Sequence, residues 1–144
     1  MPNVLKLVID NDVLDRYHEY YFKQYPKRKK KPIDKPTHPS INKWFVMKRP
    51  QMNGLKQQLK EFIVWFVEDQ GLTNKQIEKC SMTFVSYFKT RIRTDIDNYA
   101  PKFYMDGLVD SGLIIDDDYL HIESLTMKCG WDKEWPRTEI YINY

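Results

Sequence analysis

The sequence predicts an α+β domain, and three patterns carry that prediction. Val4, Leu5, Leu7, Val8 and Ile9 form a short apolar run that reads as a buried strand. After Pro50, Met52, Leu55, Leu59, Phe62, Ile63 and Phe66 recur at helical spacing, so a long amphipathic helix runs on to Gly71. From Thr138 to Tyr144, Ile140 and Ile142 alternate with Glu139, Tyr141 and Asn143, the period of a strand with one covered face. A chain of 144 residues supports one core of this kind, because two would each be starved of apolar surface. With 42% apolar and 30% charged residues, neither global disorder nor a fibrous class fits.

The remaining elements follow in order. Asn11 or Asp12 caps a helix through about Tyr25, with Leu14, Tyr17, Tyr21 and Phe22 at helical spacing and Pro26 as its stop. Lys27 to Pro39 mixes consecutive basic residues with Pro32, Pro36 and Pro39, which predicts an exposed loop where mobility concentrates. Met82, Phe84, Val85, Tyr87 and Phe88 make a strand that delivers the chain through Arg91 and Arg93 to Asp95. A helix then begins near Asn98 to Pro101 and closes at Gly112. Leu113 to Ile115 re-enter the core, Tyr119 to Lys128 read as a strand, and Gly130 to Pro136 as a hairpin connection braced by Trp131 and Trp135. The run Phe62 to Val67 is about a third of a bilayer crossing, so no membrane span is expected. The start lacks a long apolar stretch and a small-residue cleavage pattern, which makes the cytoplasm the expected compartment. Cys80 and Cys129 stand far apart with no companion ligand spacing, arguing against a zinc site or disulfide framework; they read as buried thiols.

Charge is segregated. Lys23 to Arg49 holds ten basic residues against Asp34 alone, whereas Asp95 to Asp118 holds seven aspartates against Lys102 alone. A polyanion such as nucleic acid is drawn to the first segment by phosphate neutralisation and repelled by the second unless cations intervene. Lys27, Arg28, Lys29, Lys30, Lys31 and Lys43 are the candidate contacts in the basic segment.

Asp95 and Asp97 are the candidate metal ligands. In an extended backbone residues i and i+2 project from one face, so both carboxylates converge on one point. Asp116, Asp117 and Asp118 open the next strand and offer a third ligand. These like charges repel one another, a cost that a divalent ion removes, and carboxylate-only ligation fits Mg²⁺ or Mn²⁺. His18, His38 and His121 are scattered and read as structural or exposed. Asp95-Ile96-Asp97-Asn98 is a poor calcium loop, since Ala100 and Pro101 occupy its centre and Asp106 stands where a bidentate Glu belongs. The competing reading makes Asp97 or Asn98 a helix cap, the 116 to 118 run a polar turn, and Lys102 and Asp106 a surface ion pair.

Asp95-Ile96-Asp97-Asn98, Lys102, Asp106-Gly107-Leu108, Gly112 and Asp116-Asp117-Asp118 together resemble the signature of the RusA family of Holliday junction resolvases, found in bacteria and their prophages. Pro39-Ser40-Ile41-Asn42 also resembles the family's Pro-Ser-x-Asn segment. The resemblance implies a small mixed β-sheet with two main helices packed on it, in a single domain over 1–144 with a basic, proline-containing insertion at about 10–38. It implies a Mg²⁺-dependent endonuclease that resolves four-way DNA junctions as a homodimer. Asp95, Asp97 and either Asp117 or Asp118 would bind the ion, Lys102 would be the active-site lysine, and Arg91 or Arg93 would take the place of an arginine expected at Thr94. The alternatives are a non-catalytic nucleic-acid-binding module and a related metal nuclease acting on flaps or RNA.

Overall fold

The computed structural model describes residues 2–144. Strands β1 (Val4–Asp10), β2 (Cys80–Phe88), β3 (Ile122–Trp131) and β4 (Arg137–Asn143) form one sheet in the order β1-β4-β2-β3. β4 runs antiparallel to both β1 and β2, and β2 runs parallel to β3. The parallel β2–β3 pair needs a long crossover, here the segment that carries the two acidic stretches. Leu7 pairs with Ile140, which pairs with Phe84, while Met82 pairs with Ile142; all five are buried on one sheet face.

That face is covered by α1 (Asn11–Gln24), α3 (Arg49–Asp69) and α4 (Lys102–Asp110), with a one-turn helix α2 (Ile41–Trp44) between the first two. Leu14, Tyr17, Phe62, Phe66, Phe103 and Leu108 join the sheet residues in one core. Each such fully buried side chain contributes about 1.5–3 kcal/mol of transfer free energy. α3 and α4 approach closely because residue 107 is glycine: a Cβ there would lie 2.5 Å from the Ile63 Cβ. Ion pairs Lys56–Asp106 (3.9 Å) and Lys60–Asp110 (2.8 Å) run along the same seam. The Lys102–Asp106 surface pair that the competing reading offered is not formed; Asp106 pairs with Lys56 instead.

Several sequence expectations are corrected. The cap of α1 is Asp10, whose side chain accepts the Val13 N–H, rather than Asn11 or Asp12. Lys27 to Pro39 has no helix or strand but is tied down. Ile33 and His38 are buried, and the Pro36 carbonyl accepts the Thr138 hydroxyl at 2.6 Å. His38 Nε2 accepts the Phe103 N–H at 3.0 Å, satisfying an orphan donor at the start of α4. The third strand starts at Ile122, so Asp116 to Asp118 lie in the turn before it and do not open it. Gly130 to Pro136 is no hairpin, because β2 lies between β3 and β4 and the link must pass over its end. Cys80 is buried and Cys129 half-buried, both as free thiols.

Candidate active site

Beyond Phe88 the backbone leaves the sheet through bends at Lys89 and Thr90, is extended at Asp95 (φ −79°, ψ 141°) and tightens into a 3-10 turn, Ile96–Tyr99. Asp97 lies inside that turn, so the same-face rule for an extended chain does not apply to this pair. The two aspartates nevertheless share a space, since Asp95 and Asp97 both wall an open recess of about 450 Å³ with Asn42, Arg93, Thr94 and Asn98.

Local bonds explain why the turn holds. The Asn98 side-chain oxygen accepts the Asn42 N–H at 3.0 Å, and its amide donates to the Thr94 hydroxyl at 3.2 Å. Ser40 caps α2 by accepting the Lys43 N–H at 3.2 Å. The Tyr99 ring packs on Phe88 with centroids 4.7 Å apart, fastening the far end of the turn to β2. Asn98 therefore braces Asp95 and Asp97 from both sides. Sequence reasoning quoted Asn42 and Asn98 in motifs but assigned neither a place in the site, and no local spacing announces a bond across 56 positions.

The second acidic stretch is arranged differently. Asp118 Oδ1 accepts the N–H groups of Leu120 (3.1 Å) and His121 (3.2 Å) and bonds the His121 ring. The contact with His121 holds the Asp118 carboxyl below the usual carboxylate range and the imidazole above its own. Asp117 moves the other way. Burial, a bond with Asp116 and the charge of Asp106 push its carboxyl up. Ligand atoms of Asp116, Asp118 and His121 lie within 4.8 Å of one another, a grouping that no pattern in the sequence singled out. Asp117 and Asp118 do not wall the recess that Asp95 and Asp97 share.

Lys102 is the first residue of α4, exposed and outside every ion pair among the described residues. Lys27, Lys29, Lys30, Lys31 and Lys43 are exposed. Arg28 is also exposed but engaged: it donates to the Tyr21 hydroxyl at 2.9 Å and lies 4.1 Å from the Tyr25 ring centroid. Arg91 lies over the Trp131 ring at 4.5 Å, and Arg93 faces the recess.

The acidic donors of the recess are carboxylate oxygens, without thiol or imidazole, a set that fits a hard divalent cation such as Mg²⁺ or Mn²⁺. The Asp116, Asp118 and His121 group adds a nitrogen, which suits softer transition metals as well.

A mixed sheet with one helical layer and an acidic recess at the exit of β2, with Arg93 in its wall, fit a metal-dependent phosphodiesterase acting on a polyanion. Residues 3–143 match the family model described as Endodeoxyribonuclease RusA, and the chain belongs to that family. It is a Holliday junction endodeoxyribonuclease, a family whose nucleases depend on metal and whose substrate is branched DNA. No curated relative matches it. Among the described residues, no helix is long and apolar enough to cross a membrane.

Proposed function

We propose that Asp95 and Asp97 hold Mg²⁺, with Mn²⁺ as a substitute, that Asp117 or Asp118 completes the ligand set, and that Lys102 faces the scissile phosphate. The observation that carries this reading is the recess that both aspartates wall, braced by Asn98 in a chain of this family. When bound, the ion activates water and offsets charge on the phosphate and the leaving oxygen. Lys102 donates to a non-bridging phosphate oxygen as charge builds there.

Lys27, Lys29, Lys30, Lys31, Lys43, Arg91 and Arg93 hold the junction arms, and Arg28, through Tyr21 and Tyr25, positions the basic stretch within an insertion at about 10–38. With about five phosphates neutralised, the log–log salt slope of junction binding is about −4.5. The protein works as a cytoplasmic homodimer of prophage type, one active site per cut strand.

The test is Asp97→Asn on a labelled mobile four-way junction. Junction binding in EDTA persists while Mg²⁺-dependent nicking is lost; undiminished nicking rejects the assignment. A Mg²⁺ or Mn²⁺ titration of the melting temperature checks the same point without turnover, since a ligand of the native state raises it. No shift and no nicking would leave a non-catalytic binding module, and preference for flap or RNA substrates would move the chain to a related nuclease activity. Asp117→Asn and Asp118→Asn compared in the titration decide the third ligand.

A further inference from the structure

One helical turn beyond the acidic recess, the chain presents two large apolar side chains to solvent. Phe45 is 75% exposed and Val46 80%. α2 ends at Trp44, and the Met47 N–H donates to the Trp44 carbonyl at 3.2 Å, so Phe45 and Val46 are the two central residues of a turn and form its tip. Such positions ordinarily go to Pro, Gly, Asn, Asp or Ser, whose backbone preferences build the turn. Neither Phe45 nor Val46 serves the turn in that way, and neither belongs to the core.

The tip is firmly mounted beside the recess. The Trp44 ring packs on Phe103 of α4 with centroids 5.1 Å apart, and the Phe45 N–H donates to the Ile41 carbonyl at 2.8 Å. Ile41 and Asn42 wall the recess, and Asn42 is bonded to Asn98 in the turn of Asp95 and Asp97. At about 1.5 Å of helix rise per residue, the Phe45 backbone stands about 6 Å along the axis from that of Ile41. Successive nucleotides of a duplex strand are about 3.4 Å apart. A strand with a phosphate in the recess therefore has a base step within about three nucleotides in reach of the tip.

Charge and area decide what covers Phe45 and Val46. Lys43, Lys48 and Arg49 flank them, all exposed, and from Lys35 to Lys60 the chain carries no Asp or Glu. Two copies meeting by this tip about a two-fold axis would set those cations against their own images. An aromatic side chain buries about 150–250 Å², far short of the roughly 800 Å² per partner of a standard interface. A polyanion meets the cations with opposite charge, and an apolar wedge set among them is the device by which proteins part stacked bases. In a continuous duplex that parting costs stacking energy, whereas at the exchange point of a four-way junction the stack is already broken.

We infer that the Phe45–Val46 tip inserts between the bases at the branch point while Lys43, Lys48 and Arg49 hold the phosphates on either side. The inference rests on the reading that Asp95 and Asp97 mark the place of the scissile phosphate. It gives the protein a means of telling a junction from a duplex that is separate from the ion and from the arms.

The experiment has two arms. In the first, 2-aminopurine is placed one position at a time around the exchange point of a four-way junction, and its fluorescence is followed as wild-type protein is added in EDTA. A rise of about threefold or more at one or two adjacent positions, within about three nucleotides of the mapped cut, is expected. No rise at any position overturns the inference, and this arm needs no variant to fold. In the second, Phe45→Ala is titrated against the junction and against a linear duplex of equal length. Truncating an exposed side chain leaves the fold intact, which an unchanged melting temperature checks. Junction affinity falls about tenfold or more, the scale of one lost base–aromatic contact, while duplex affinity stays within about twofold and the salt slope is unchanged. Equal losses on both DNAs, or none on either, overturn the inference. Altered sedimentation of free Phe45→Ala with junction affinity kept gives the tip to a contact between copies, and overturns it too. The two readings fail separately: nicking that Asp97→Asn abolishes, without a 2-aminopurine response, sinks only the wedge, and a response with nicking undiminished in Asp97→Asn sinks only the metal-site assignment.

Discussion

The two acidic turns that flank α4 have similar composition and opposite internal bonding. Before the helix, Asp95 and Asp97 wall an open recess, and the side chain that fixes their turn is a neighbour, Asn98. After it, Asp118 spends one oxygen on two backbone N–H groups and the His121 ring, and Asp116 accepts the Asp117 N–H at 2.7 Å. Among the described residues the Asp95 and Asp97 carboxylates bond no other group of the chain, whereas Asp116 and Asp118 spend oxygens on holding the shape of their turn. A count of aspartates treats the two alike, whereas the destination of each lone pair separates them.

The largest effect that sharpens this contrast is on turnover. Asp95→Asn lowers junction nicking by about 10²-fold or more, on the scale of losing one preorganised electrostatic contact, whereas Asp116→Asn stays within a few-fold of the wild type. Initial rates on a labelled junction measure both, and the reverse ranking would move the ion to the second turn. Next is the helix that joins the turns. Gly107→Ala drives a methyl group into Ile63 and costs about 1–3 kcal/mol, read as a lower urea midpoint at unchanged slope.

A third effect is pH-dependent. Burial pushes the His38 imidazole down to about 4, so the unfolded chain takes up its proton first as pH falls. Stability from this group is full above about pH 6.5 and drains away towards pH 4, amounting to about 2 kcal/mol between pH 7.5 and pH 5. His18, also lowered by burial, acts in the same direction. His121, raised by Asp118, acts in the opposite one. Comparing urea midpoints of His38→Gln and the wild type at the two pH values isolates the first contribution. The smallest effect is on thermal stability alone: Asp118→Asn lowers the melting temperature in EDTA, while Asp95→Asn leaves it level or raises it by relieving repulsion. A scan of both variants checks the sign.

The same contrast explains what the sequence made legible. Periodicity located β1, α1, α3 and β4, because a strand or helix with one covered face writes its period into consecutive residues. The Asp-x-Asp-Asn motif located the recess. Hidden were the relations that depend on distant pairing. β2 separates β3 from β4, so two adjacent apolar stretches with a turn between them imitate a hairpin. The bond from Asn42 to Asn98, the closure of His38 on α4 and the anchoring of Pro36 to Thr138 each join residues far apart in sequence. The basic stretch looked like a loose loop because its anchors, Ile33 and His38, are single residues among exposed ones. The i, i+2 spacing predicts an extended Asp97, whereas the residue sits in a 3-10 turn on the wall of the recess.

The position of β4 carries a consequence for how the molecule is made. β1 finds its sheet partner in residues 137–143, and those residues also complete β2. During synthesis β1 therefore waits, unpaired, until residues 137–143 have left the ribosome, and this part of the sheet closes through contacts of very long sequence separation. A chain that ends before residue 137 thus carries the acidic motif without β4, the strand that joins β1 to β2.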